Sequence, residues 1–363
     1  MAMSGEEKDW SELPAELLHL IAKKLPDLLD FVRFRVICKT WCSSAPLSDP
    51  PYQHPWLLEL FPRDCNYCIH EKQQRYYSFS SCEMLTIPSI DGKPVLDSWI
   101  YGGVCTHYLA FLNHTNTMSF FNPLTKDLFL LPPMHMHLCC GTPWMVWTGA
   151  DPIRNRSIVV LDRDRYLGNL KGGWAFYDPR NKKWIEEKGY FYSSCYWQGM
   201  LFSTRDGNPT KVFNAYSKKL LHVIPPPENE LIEDSYFKDE LAWYLRESYL
   251  VVSSGVILRV SWFYDCHVKI SESVFHIYRL DYGSADGKPF WVRIGDIGDQ
   301  ILFLDEMNGF SMTCKPSSGF REGCIYFLDP NQYKPYVHDV LAGTVERVPC
   351  PFKRCTWFLP SLS

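Results

Sequence analysis

Two clusters of soft ligands are the residues in this chain most suited to chemistry. Cys65-Asn-Tyr-Cys68 is followed by His70, with Cys82 nearby, and His135-Met-His137 runs into Cys139 and Cys140. Thiolate and imidazole are ligands that zinc prefers, four of them in a tetrahedron, and tight structural sites usually pair two Cys-x-x-Cys corners. No second Cys-x-x-Cys occurs, so packed thiols in a connecting segment are the plainer reading of the first cluster. A loop or strand edge accounts equally well for the second. No metal and no cofactor is assigned. Covalent catalysis would need a nucleophile set beside its base, and the chain has no Gly-x-Ser-x-Gly elbow. Gly168 to Gly173 lacks the spacing of a phosphate loop, and Cys38 falls within a helical pattern where packing explains it. No catalytic residue is assigned.

The elements that would position any site come in two textures, and composition bounds both. The 363 residues are 46% hydrophobic and 21% charged, a globular balance. Against 41 Asp and Glu stand 37 Lys and Arg, a net charge of -4, which argues against a nucleic-acid polyanion as main partner. No run approaches the roughly 18 uncharged apolar residues of a membrane helix. Met1 to Trp10 carries Glu6, Glu7, Lys8 and Asp9 where a secretory leader would be basic and apolar. The expectation is a soluble intracellular protein, in nucleus or cytoplasm, with its 14 cysteines reduced.

Helical patterning is confined to the first fifty residues. Leu13, Leu17, Leu18, Ile21 and Leu25 recur at steps of three and four, which predicts one apolar helix face. Ser11 is the expected N-cap, Lys23 and Lys24 fall in the last turn, and Pro26 stops the helix. Shorter helices are predicted over 27–34 and 35–44, before prolines 46, 50, 51 and 55 end the run. Three helices in about forty residues bury little core alone and need a partner or a neighbouring domain.

Here the residues carry a resemblance. Trp10-Ser-Glu-Leu-Pro-Ala-Glu-Leu-Leu18, then Ile21 and Leu25, then Val36-Ile-Cys-Lys-Thr-Trp41, resembles an F-box, in which Leu-Pro opens the first helix and a Val-Cys-x-x-Trp phrase closes the third. The resemblance implies docking to a Skp1-type adapter of a cullin-RING ubiquitin ligase. Leu13, Pro14, Leu17, Leu18, Ile21, Leu25, Val36 and Trp41 would then form or support the docking surface. A short helical cluster with surplus apolar side chains can lay them into a groove on another helical protein.

Beyond about residue 75 the texture becomes short aromatic or β-branched runs broken by turns, in a chain with 26 Pro and 21 Gly. One phrase returns: an apolar pair, Asn or Asp, turn residues, a basic residue, an apolar run. It reads Phe120-Phe-Asn-Pro-Leu-Thr-Lys-Asp-Leu-Phe-Leu-Leu-Pro132, Phe176-Tyr-Asp-Pro-Arg-Asn-Lys-Lys-Trp184 and Val212-Phe-Asn-Ala-Tyr-Ser-Lys-Lys-Leu-Leu221. Weaker copies start at Tyr278 and Tyr326. Each predicts a hairpin, because Asn or Asp starts a turn between strand formers. Hairpins repeated every few tens of residues suggest a β-propeller of about six blades at roughly 40–45 residues each. A sandwich or several small β domains is the competing architecture. Thr356 to Leu359 is expected to close the ring against Tyr76 to Phe79.

The body is also similar to the plant "domain of unknown function 295". The similarity rests on Tyr108-Leu-Ala-Phe111, Phe121-Asn-Pro-Leu-Thr125, Trp291-Val-Arg-Ile-Gly-Asp-Ile-Gly-Asp-Gln-Ile-Leu-Phe-Leu304, Cys324-Ile-Tyr-Phe-Leu-Asp329 and Thr356-Trp-Phe-Leu-Pro360. The expected fold is therefore mainly β: an F-box over 8–48, a linker over 49–75 and a kelch-like propeller over 76–363. The expected function is a non-catalytic substrate receptor of a Skp1-cullin-F-box ligase that presents an unidentified target protein, with no nucleic acid and no membrane as partner. Target-binding residues are not assigned. One alternative is a propeller binding protein or adapter decoy that causes no target turnover; a propeller enzyme is the other.

Overall fold

The computed structural model describes residues 10–59, 75–79, 81–86, 99–105, 108–113, 117–133, 144–147, 158–161, 173–178, 181–188, 193–204, 208–217, 219–227, 244–265, 269–283, 287–305, 308–316, 318–330 and 332–362. Three helices, α1 (Ala15–Lys23), α2 (Leu28–Arg35) and α3 (Lys39–Ser44), precede the strands. Ser11 does not cap α1. It falls in a single 3-10 turn, Trp10–Glu12, and Pro14 holds the cap position without a side-chain bond. Proline favours a helix start, since its fixed φ suits the first turn and its missing N–H would be unpaired there anyway. The Pro14 carbonyl accepts from the amides of Leu17 and Leu18 at 3.0 and 3.1 Å. The third helix starts four residues later than its pattern predicts, because Val36 ends α2 and Cys38 stands extended before Lys39.

The strands follow in hairpin order: β1 (Trp56–Glu59), β2 (Arg75–Ser78) and β3 (Glu83–Thr86) begin the first sheet. The second holds β4 (Trp99–Cys105), β5 (Tyr108–Asn113), β6 (Met118–Phe121) and β7 (Leu128–Leu130). The third holds β8 (Trp144–Trp147), β9 (Ile158–Leu161), β10 (Gly173–Asp178) and β11 (Lys183–Lys188). The fourth holds β12 (Ser193–Trp197), β13 (Met200–Thr204), β14 (Thr210–Asn214) and β15 (Leu220–Ile224). The fifth holds β16 (Tyr244–Ser253), β17 (Val256–Asp265), β18 (Val274–Tyr282) and β19 (Pro289–Ile294). The sixth holds β20 (Gln300–Asp305), β21 (Asn308–Thr313), β22 (Cys324–Leu328), β23 (Pro335–Asp339) and β24 (Val345–Arg347). The last strand, β25 (Cys355–Phe358), returns to the first sheet.

The recurrent phrase is the outer hairpin of these sheets, and its chemistry is local. Asn122 Oδ1 accepts from the amides of Leu124 and Thr125, and Asn214 Oδ1 from those of Tyr216 and Ser217. The basic residue four places after the Asn or Asp takes the left-handed conformation at Lys126 and Lys182, with φ of 63° and 50°. The side chain thus imitates a backbone turn and helps the chain reverse.

Two expectations on closure need correcting. β25 pairs with β1, Leu57 opposite Trp357, and not with the strand at 75–78, which pairs instead on the far side of β1. The stretch expected as linker, 49–75, therefore supplies a strand of the body. Trp-Leu-Leu-Glu is four residues long and follows a proline-rich run, so no periodicity marked it. The sixth sheet also departs from a simple meander. β20 runs parallel to β22, because the chain folds back through β21 before returning across 314–323.

Successive sheets pack through their first strands, β4 on β8, β8 on β12, β12 on β16 and β16 on β21, with β20 against β25 joining sixth to first. Buried aromatic and aliphatic side chains fill the joints. Trp357, Phe303, Phe320 and Tyr326 form one cluster, and Trp262, Tyr249, Val260 and Phe327 another. Gly309 is placed where β21 meets β16: a Cβ there would lie 2.5 Å from Val251 Cγ2.

Candidate functional site

The helical head divides its apolar residues between two faces. Leu18, Ala22, Phe31, Phe34 and Ala45 are buried as a small core, against which Leu13, Leu25, Trp41 and Leu362 pack in part. Trp41 lies over Phe34, ring centroids 4.4 Å apart, and its Nε1 donates to the Trp10 carbonyl at 3.2 Å. Arg35 stitches α2 to the end of α3, donating to the Ala45 carbonyl, while its guanidinium lies 5.9 Å from the Phe31 ring centre.

Other apolar side chains of the head are open to solvent. Leu17, Leu20 and Ile21 stand on one side of α1 with 48%, 55% and 42% of their surface exposed, and Val36 and Ile37 at the end of α2 with 76% and 60%. Of the eight residues singled out from sequence, Pro14, Leu17, Ile21 and Val36 lie on the surface. Leu18 is buried, and Leu13, Leu25 and Trp41 are half-buried supports of the core. Sequence reasoning missed Trp10, Leu20 and Ile37, all exposed. The signal for Leu20 was available, since it lies three residues from Leu17 on the same helix.

A buried carboxylate joins the head to the first sheet. Asp27 caps α2, its Oδ1 accepting from the Leu29 amide at 2.7 Å. Its Oδ2 accepts from Trp56 Nε1 at 3.0 Å and from Ser78 Oγ at 2.6 Å. Trp56 in turn stacks on Tyr76 at 3.9 Å, and burial, reinforced by the Asp27 charge, raises the Tyr76 phenol above its usual range. His54, buried close by, is pushed down by the same loss of water. On the other flank Lys23 donates to Asp49 at 2.5 Å and to the Pro50 carbonyl at 2.9 Å, and this bond holds Asp49 below the ordinary carboxylate range. Finally, the tail links three units: Leu362 enters the head core, and Asn122 Nδ2 of the second sheet donates to the Ser361 carbonyl at 2.9 Å.

Of the two ligand-like clusters only Cys82 lies among the described residues. Cys65, Cys68, His70, His135, His137, Cys139 and Cys140 lie outside the described residues. Cys82 is an exposed turn residue with its sulfur 3.6 Å from the Phe79 carbonyl. Among the described residues no three His, Cys, Asp or Glu side chains gather as metal ligands, and no helix is long and apolar enough to cross a membrane.

Residues 76–345 match the KIB1-4 beta-propeller family. A putative F-box protein of Arabidopsis thaliana is 42% identical over 375 residues, covering 91% of this chain and 88% of its own. This chain belongs to that family. It is a plant F-box protein with a C-terminal propeller. Two more distant Arabidopsis relatives have the same span. A putative F-box protein is 24% identical over 97% of this chain and 93% of its own, and a putative F-box/kelch-repeat protein 25% over 88% and 87%.

Proposed function

We propose that this F-box protein is the non-catalytic substrate receptor of a Skp1-cullin-F-box ubiquitin ligase. The observation that carries the reading is the divided head: one apolar face consumed internally, the other open through Leu17, Leu20, Ile21, Val36 and Ile37. Five large aliphatic side chains within the three-helix head are left open to water, a surplus suited to covering by a partner. Fully burying such a side chain stabilises by about 1.5–3 kcal/mol. The half-exposed residues here retain part of that, enough together to offset the ordering that docking requires. The binding mode is an amphipathic helical face against a groove on a helical adapter.

The propeller then supplies orientation. Six sheets support the propeller reading, and β25 completes the first of them. The assembly speeds transfer of ubiquitin by holding a target lysine near the charged conjugating enzyme, which raises effective concentration and requires no acid, base or nucleophile from the receptor. Target contacts belong on loops between strands, where a rigid frame holds variable segments.

The test is capture of the purified full chain by an immobilised Skp1-type adapter, wild type against Leu17→Ala/Ile21→Ala/Val36→Ala. Each truncation of a half-exposed aliphatic removes about 1 kcal/mol of burial on docking, so the triple variant should bind roughly 100-fold more weakly with unchanged circular dichroism. Failure of folded wild type to bind any of several adapters would refute the proposal.

A further inference from the structure

We infer that Cys350 and Cys355 form a peroxide-responsive dithiol whose disulfide staples the seam where the sixth sheet meets the first. The inference is independent of the docking reading and rests on where the two residues sit. Cys350 lies in the segment that leaves β24, the outer strand of the sixth sheet, and Cys355 opens β25, the strand that completes the first. Their sulfurs are 3.7 Å apart. A disulfide needs about 2.05 Å, a closure of about 1.7 Å; Cys355 is held in β25, and Cys350, which lies outside any strand, is the partner that moves.

The surroundings divide the labour between the two thiols. Cys355 is buried, opposite Glu59 in the β1 pairing, with its sulfur 3.2 Å from the Tyr333 carbonyl and 3.7 Å from the Cys350 sulfur. Cys350 is only half-buried and is reached from outside. The neighbouring Cys355 thiol, the Phe352 backbone and the cations Lys334 and Arg347 favour its thiolate and hold it below the ordinary thiol range, whereas Cys355 is raised. Elsewhere burial works against reaction, pushing Cys195 up to about 12 and Cys324 to about 11. Thiolate character together with access selects the cysteine that is oxidised first.

The chemistry balances with a hydroperoxide as oxidant. The Cys350 thiolate attacks one peroxide oxygen, an S–O bond forms, the O–O bond breaks, and the departing oxygen takes a proton and leaves as water or alcohol. The Cys355 sulfur then attacks the sulfenic sulfur of Cys350, S–S replaces S–O, and water leaves carrying the Cys355 proton. The peroxide gains two electrons and the pair loses two electrons and two hydrogens.

The experiment treats the full chain with near-stoichiometric hydrogen peroxide, alkylates the remaining thiols and digests with trypsin, which cuts on both sides of 348–353 and before 355–363. The expected result is peptide 348–353 joined to 355–363 by a bond that dithiothreitol releases. With Cys355→Ser the same treatment should leave a sulfenic acid at Cys350 that dimedone traps. Urea unfolding should show the oxidised wild type with a higher midpoint than the reduced, and Cys350→Ser with no oxidant-dependent shift. Recovery of Cys350 and Cys355 both alkylated after oxidation would overturn the inference. So would Cys350 as a sulfinic acid without the link, or a link from Cys350 to another cysteine. The unmodified chain alone decides the peptide test, so a variant that fails to fold does not obscure it.

Discussion

Replacing Asp27 with alanine should unfasten the head from the body. The carboxylate is 2% exposed and accepts three bonds, from the Leu29 amide, the Trp56 indole and the Ser78 hydroxyl. Loss of the helix cap removes about 1 kcal/mol. The Trp56 bond to a charged acceptor is worth roughly 1.5–3 kcal/mol, and its donor would be left buried without this partner. The Ser78 bond adds a similar but smaller amount, so the sum is about 3–5 kcal/mol. With a urea slope of about 3 kcal/mol/M for a chain of this size, the unfolding midpoint should fall by at least about 1 M. Trp56 fluorescence follows the junction itself, and far-ultraviolet circular dichroism follows the strands. Asp27→Asn is the sharper variant. Its amide oxygen can still cap Leu29, but its NH2 then faces the Trp56 N–H, donor against donor, so most of the loss should remain. Asp30→Ala serves as control, because its exposed pair with Arg33 contributes no more than about 0.5 kcal/mol. If Asp27→Ala unfolds within about 1 kcal/mol of wild type while Asp30→Ala does the same, the carboxylate does not fasten the head to the body.

Three more expectations follow from particular contacts. Gly309→Ala should destabilise by about 1–3 kcal/mol through overpacking, because its Cβ would lie 2.5 Å from Val251 Cγ2; a denaturant midpoint equal to wild type would contradict this. Removing 359–363 takes Leu362 from the head core and the Ser361 carbonyl from Asn122. Limited proteolysis should then cleave first among residues 10–50, and cleavage confined to the sheets would speak against the link. The pH response should carry a histidine signature. His54 and His338 are buried and both are held below the usual value near 6.5 by loss of water, so the unfolded chain binds protons more readily. Stability should therefore fall as pH drops from about 6.5 through the native values and level off once both states are protonated. His338→Phe should flatten that slope in unfolding curves between pH 7.5 and 5.5; an unchanged slope would exclude His338 as a contributor.

Local signals reached as far as local chemistry. The turn phrase at Asn122, Asp178 and Asn214 was legible because its hydrogen bonds close within three or four residues of the Asn or Asp. The leucine spacing of α1 was legible for the same reason. What it could not state is which leucine faces inward, since Leu17 and Leu18 differ only in what lies beside them: solvent for one, Phe31 and Phe34 for the other. Cap positions failed where two good candidates competed, and Pro14 displaced Ser11. The Asp27 junction was invisible because its partners, Trp56 and Ser78, lie 29 and 51 positions away and neither carries a motif. The strand at Trp56–Glu59 was missed for a related reason. Four residues carry too little alternation to be told from a connector, and its pairing comes from the far end of the chain.

That last pairing has a consequence for how the protein is made. Leu57 leaves the ribosome early and must wait for Trp357 before its edge is covered. At about 5–20 residues per second the interval is many seconds, during which β1 offers unpaired backbone to any passing strand. A chain stopped before residue 355 would have every sheet but the first complete and a head core lacking Leu362. Synthesis through residue 362 is thus what covers the first edge and completes the core of the head.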